Sequence, residues 1–119
     1  MKTSIFILLI FLQSCATSMS PTTFINEFPK ATHNKYIAKS ESKIVIANGS
    51  CKTLVENRKY VAPIGLTVHG DVSNAANGVD EWVTADKGNA YIVNNFEWIS
   101  VGNEGNTQLI IYFNTLYCS

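Results

Sequence analysis

The chain has 119 residues, with 9 Lys and Arg matched by 9 Asp and Glu, so it holds one domain and no net field to recruit nucleic acid or acidic lipid. At 46% hydrophobic and 15% charged, it is too apolar for a disordered chain and too sparsely charged for a coiled coil. Two histidines without close spacing, and no Cys-x-x-Cys, predict neither metal site nor cofactor.

The chain opens Met1-Lys2-Thr3-Ser4, continues with an apolar run from Ile5 to Leu12, and breaks at Gln13-Ser14-Cys15. A positive start, a short apolar core and a small residue before the break are the parts of a secretory signal, here residues 1–14. About eight apolar residues cannot span a hydrocarbon core that needs roughly twenty. Leu12-Gln13-Ser14-Cys15 resembles the bacterial lipobox, which implies lipid on the Cys15 sulfur and Cys15 as the new N-terminus. Several acyl chains anchor firmly where one is marginal. The competing reading is ordinary cleavage near Ser14 or Ala16, releasing a soluble protein with a free thiol. Ala16 after the cysteine resembles the outer-membrane sorting pattern, implying a domain that faces the periplasm. Losing Lys2 leaves the mature chain with one acid more than its bases.

Residues 15–42 are predicted as the lipidated N-terminus and a weakly structured spacer, with Pro21 and Pro29 breaking any regular element. Phe24, Ile25, Phe28, Tyr36 and Ile37 are too apolar for a pure linker and are expected either to dock on the domain or to form a partner-binding strip. Fully extended, residues 16–42 reach roughly 90 Å, enough to hold a domain away from a membrane.

The predicted domain spans 43–119. Lys43-Ile44-Val45-Ile46-Ala47 reads as a β-rich run stopped by the turn pair Asn48-Gly49. Cys51 to Val61 reads as a second, partly exposed strand ended by Pro63 and Gly65, and Leu66-Thr67-Val68 as another short extended piece. Asp71 to Lys87 is the helix candidate: Asp71 or Ser73 can cap it, and Val72, Ala75, Ala76, Val79, Trp82 and Val83 form one apolar stripe. Gly88 stands where a left-handed C-cap belongs, while Gly78 inside the stripe costs about 1 kcal/mol and predicts a late start or a kink. Ala90–Val101 and Thr107–Cys118, joined by Gly102-Asn103-Glu104-Gly105-Asn106, read as a hairpin. The expected architecture is α+β: a small, mostly antiparallel β-β-α-β-β sheet with one helix on a face.

With Cys15 assigned to lipid, Cys51 and Cys118 are an even pair in an exported chain and read as a disulfide. Closing a loop of that length contributes about 4 kcal/mol by chain-entropy reasoning, which matters where a small core supplies roughly 3–5 kcal/mol.

Little in the chain points to catalysis. His69, in Val68-His69-Gly70-Asp71, lacks any nucleophile elbow nearby, and His33 falls in the spacer. Asp80, Glu81 and Asp86 read as a solvated helix face, Glu97 and Glu104 flank the final hairpin, and Glu56-Asn57-Arg58-Lys59 reads as a surface charge run. Asn48-Gly49-Ser50 fits a glycosylation acceptor but reads as a turn. Trp82, Trp98, Tyr112 and Tyr117 either fill the core or line a binding surface, with Trp98 and Tyr112 the candidates for the surface.

A cysteine opening the first long strand, Ala75-Ala76 in a helix leading into Gly88-Asn89-Ala90-Tyr91-Ile92-Val93, and the Tyr117-Cys118 ending together resemble small bacterial lipoproteins of unknown function. These are similar in outline to the Rcs envelope-stress sensor lipoproteins, a compact disulfide-bonded α/β domain on a long tether. The resemblance covers about 43–118 plus the lipobox. That family pattern has four domain cysteines, whereas this chain keeps Cys51 and Cys118, so one of two bridges is absent. The expectation is a membrane-anchored, non-catalytic envelope protein that binds another envelope component as sensor or assembly accessory. A protective inhibitor, exclusion or immunity lipoprotein that blocks an incoming enzyme or phage receptor is the alternative. An enzyme built around His69 is a third.

Overall fold

In a computed structural model, residues 18–101 and 106–119 are described. Their elements in chain order are α1 (Pro21–Ala31), β1 (Lys35–Tyr36), α2 (Lys39–Ala47), β2 (Cys51–Val61), α3 (Val68–Ala85), β3 (Ala90–Val101) and β4 (Asn106–Cys118). The strands form one sheet in the order β1-β3-β4-β2, β1 running parallel to β3 and the other pairs antiparallel. The class is α+β, but the sheet is mixed and three helices replace the single one expected among the described residues.

The hairpin forms as its two strand-like runs and turn-rich loop predict, pairing from Ala90↔Leu116 to Val101↔Asn106. Leu109, Ile111 and Phe113 point to one face and are fully buried against α1 and α3. β2 pairs with β4 from Cys51↔Cys118 to Val61↔Ile110, so the disulfide joins directly opposed residues. Bulges interrupt both partners of β4, between Val93 and Asn95 in β3, and between Thr53 and Val55 and again between Val55 and Arg58 in β2. Asn57 adopts φ 56°, a region that asparagine tolerates better than most residues. Asn114 bridges the bulges at Asn57 and Asn94, accepting from the Asn57 backbone N–H at 2.8 Å and from Asn94 Nδ2 at 2.8 Å.

α3 starts earlier than predicted. Thr67, expected in an extended piece, caps the helix by accepting from Gly70 N at 2.9 Å. Asp71 does not cap; it is buried, its carboxylate accepting from Gly65 N at 2.6 Å and from Thr107 Oγ1 at 3.1 Å. The helix also runs unbroken through Gly78. Gly78 is there for space: a Cβ would overlap the Tyr60 ring, which lies edge-on to Trp82 at 5.1 Å. At the other end, Lys87 takes the left-handed φ of 65° expected of Gly88. Lys87 N donates to Thr84 O and Gly88 N to Val83 O, the paired bonds of a Schellman end. Gly88 serves instead for close approach, since a Cβ would strike Thr115 Cγ2 and Leu116 O.

The two largest departures lie before Cys51. Residues 21–37, expected as spacer, belong to the folded body. Ser20 caps α1 through Thr23 N at 3.2 Å, and Pro21 sits at the first helical turn, where a missing N–H costs nothing. Phe24 and Phe28, one turn apart, are fully buried with ring centroids 5.1 Å apart, and Pro29 is absorbed within the last turn. Docking, one of the two roles open for the early aromatics, is what Phe24 and Phe28 do.

The run Lys43–Ala47 is helical, forming the end of α2, and is not a strand. A strand would put Ile44 and Ile46 inward together; they are 65% and 39% exposed, while Ser42 and Val45, three apart, face the protein. Asn48-Gly49 is the helix ending, with Gly49 at φ 82°. A hairpin turn and a helix C-cap ask the same left-handed backbone of glycine, so the dipeptide alone does not separate them. α2 covers the disulfide end of the second sheet face, where Val45 and Cys118 pack on Ile37, Cys51, Ala90, Ile92 and Leu116.

Candidate interaction surface

One face of the sheet is closed and the other largely open. α1 and α3 bury Tyr91, Leu109, Ile111 and Phe113 on the first. The second, beyond α2, presents Lys59 and Val61 from β2, Ile110, Tyr112 and Asn114 from β4, and Glu97 and Ile99 from β3, as register and alternation require. Val61 is 44% and Ile99 40% exposed, flanking a buried Ile110. At its centre the Tyr112 hydroxyl donates to Glu97 Oε1 at 2.7 Å, and Lys59 Nζ lies 5.9 Å from the Tyr112 ring centroid. The Glu97 carboxylate, by accepting that proton's hydrogen bond, raises the phenol above its ordinary value. The face thus combines an aromatic, both charge signs and aliphatic flanks, a composition suited to recognising a protein surface.

Trp98 does not share this face. It lies on the closed side, half-buried, edge-on to Phe24 at 6.4 Å. Its indole Nε1 is buried with no hydrogen-bond partner among the described residues. Trp98 and Tyr112, paired by the sequence reading, are therefore separated by the sheet itself. Trp82 also belongs to the closed side, packing near Phe113 and Tyr60, while Tyr117 is 43% exposed beside Lys52.

The carboxylates read as a solvated face divide. Glu81 is exposed, but Asp80 and Asp86 are bonded inward. Asp80 accepts from His33 N at 2.7 Å, Asn34 N at 3.0 Å and Asn34 Nδ2 at 2.9 Å, fastening the end of α1 to α3. An open groove of about 520 Å³ beside it is lined by His33, Asn34, Asp80, Glu81 and Thr84. Both Asp80 oxygens are engaged by the chain at the groove's edge. Tyr91, beneath, hydrogen-bonds Thr32 at 2.7 Å, and burial pushes its phenol far up.

Arg58, read as part of a surface charge run, holds Asp86 through two contacts, Nη2 to Oδ1 and Nε to Oδ2, the latter 3.2 Å, and stacks over Trp82 at 5.1 Å. Thr115 Oγ1 donates to the same carboxylate at 2.6 Å. Burial works to raise the Asp86 carboxyl, but the hydrogen bonds from Arg58 and Thr115, with the guanidinium charge, hold it below the usual range. One sequence signal was present: an acid at a helix C-terminus opposes the dipole and calls for a compensating partner.

His69 is exposed in the first turn of α3, and no hydrogen bond among the described residues reaches its ring. Cys51 and Cys118 are bonded, S–S 2.03 Å. Cys15 and the signal segment lie outside the described residues. Among those described, no helix is long and apolar enough to cross a membrane, and no cluster of His, Cys, Asp and Glu has metal-site geometry. Set against family models, characterised proteins and solved structures, the chain matches none.

Proposed function

We propose that this chain is a lipid-anchored envelope protein of non-catalytic role, held at the outer membrane facing the periplasm, whose domain binds another envelope protein. The observation that carries the reading is Leu12-Gln13-Ser14-Cys15 standing just ahead of a domain closed by the Cys51–Cys118 disulfide. The first supplies a membrane address and the second suits an oxidising compartment. The open sheet face around Tyr112 supports a binding role, since it offers mixed chemistry on a sheet surface that no helix among the described residues covers.

The test is photo-crosslinking in cells from Lys59, on the open face, with Glu81, on the exposed side of α3, as control. The expected result is a reproducible adduct with one envelope protein from position 59 and none from position 81. Adducts of equal yield from both positions, or none from either at native expression, count against the reading. The captured protein also separates roles, because a resident envelope component indicates a sensor or assembly accessory and an incoming phage or toxin component indicates protection.

A further inference from the structure

The domain lies much closer to its anchor than the sequence suggests. α1 runs antiparallel to β3: Phe24, near its start, stacks on Phe96 at 3.9 Å and meets Trp98, while Phe28, a turn later, meets Tyr91. Met19 already packs on the same core. Ala16–Ser18 alone then separate the folded body from Cys15, a reach of roughly 14 Å rather than the roughly 90 Å of a free spacer.

That short tether leaves the protein at one particular end. The start of α1, the end of β2, the start of α3, the end of β3 and the start of β4 meet there, as shown by Gly65 N and Thr107 Oγ1 on Asp71, Gln108 Nε2 on Ala62 O, and Trp98 beside Phe24. Two large apolar side chains project from the loop at this end, Leu66 at 98% exposure and Ile64 at 49%. The described segments there, Val61–Gly70, Trp98–Val101 and Asn106–Leu109, contain no Asp, Glu, Lys or Arg, and Asp71 beside them is buried and hydrogen-bonded, while Glu104 lies outside the described residues. Exposed Lys39, Lys43, Lys52 and Lys87 lie toward the opposite end, with α2 and the disulfide. Charges avoid a low-dielectric boundary and apolar side chains gain from it.

Resting on the Cys15 anchor proposed above, we infer that this end is seated on the bilayer, with Leu66 and Ile64 in the boundary between headgroups and acyl chains. A tether this short keeps the end beside the lipid at high effective concentration, so a weak apolar insertion suffices. The domain is thereby oriented: the end of β3 and the start of β4 face the bilayer, and the lysine-bearing disulfide end points into the aqueous space.

The test uses the full lipidated chain in vesicles of phosphatidylethanolamine and phosphatidylglycerol carrying bromine in the upper acyl chain. Leu66→Trp places a fluorophore at the proposed contact and Lys43→Trp places one at the far end, each read against the unsubstituted chain. The added fluorescence at position 66 is expected to fall by roughly half, as for a side chain sunk about 5–10 Å into the boundary, with position 43 unaffected. Vesicles that float with the protein while both positions respond alike, or position 43 responds more, overturn the orientation and leave the anchor standing. Failure of the full chain to float with vesicles removes the anchor reading and this inference with it.

Discussion

The two faces of the sheet are built from the same strands and obey different rules. On the closed face, Leu109, Ile111 and Phe113 meet Val79, Val83, Phe24 and Phe28, and even a glycine is dictated by a neighbouring ring. On the open face, Tyr112, Lys59 and Glu97 make contacts that leave them partly or wholly accessible. The first face specifies the fold; the second leaves its side chains accessible. α2 covers that second face only near the disulfide.

The comparison breaks most directly at α1. Phe24→Ala is expected to destabilise the protein by about 3–5 kcal/mol, the range for emptying a buried aromatic site. Denaturant unfolding measures it, and a loss under about 1 kcal/mol would mean α1 is a loose appendage after all. A smaller effect is expected at Gly78, where Gly78→Ala should cost about 1–3 kcal/mol by overpacking, despite alanine's better helix propensity. Combining it with Tyr60→Ala should recover part of that loss, because the clash is with the Tyr60 ring.

Asp86 adds a pH signature on the closed side. Its carboxyl is lowered in the folded protein from an ordinary value of 3.8, so the unfolded chain takes up the proton first. The stabilisation is present above the unfolded value and is lost as pH falls through the folded one. Unfolding midpoints should therefore decline as pH drops from about 5 to about 2, and Arg58→Met should flatten that decline. The smallest effect belongs to the open face. Tyr112→Ala should change stability by no more than about 0.5 kcal/mol, while reducing any adduct formed from position 59. A loss comparable to that of Phe24→Ala would erase the distinction between the faces.

Much of this architecture is legible in residues. The β-rich run Leu109–Phe113 predicts β4, the stripe from Val72 to Val83 predicts α3, and the even cysteine pair predicts the bridge. The rest fails for identifiable reasons. Pro21 and Pro29 signal a break where Pro21 opens a helix and Pro29 falls in its last turn. Ile44-Val45-Ile46 has β propensity overridden by packing of Val45 under the sheet. With α1 and α2 misread, the parallel β1 between them is invisible, since its two residues gain their place only by pairing with Ala90 and Tyr91. Trp98 and Tyr112 look equivalent as strand aromatics until the β3 bulge and the register settle which face each takes.

The account rests above all on what becomes of the cysteine at position 15. Metabolic labelling with palmitate, followed by mass analysis of the mature N-terminal peptide, addresses it in one experiment. A labelled chain beginning at an acylated Cys15, with label abolished in Cys15→Ser, is the result predicted. An unlabelled chain, or one beginning elsewhere and recovered free of membranes, would contradict it.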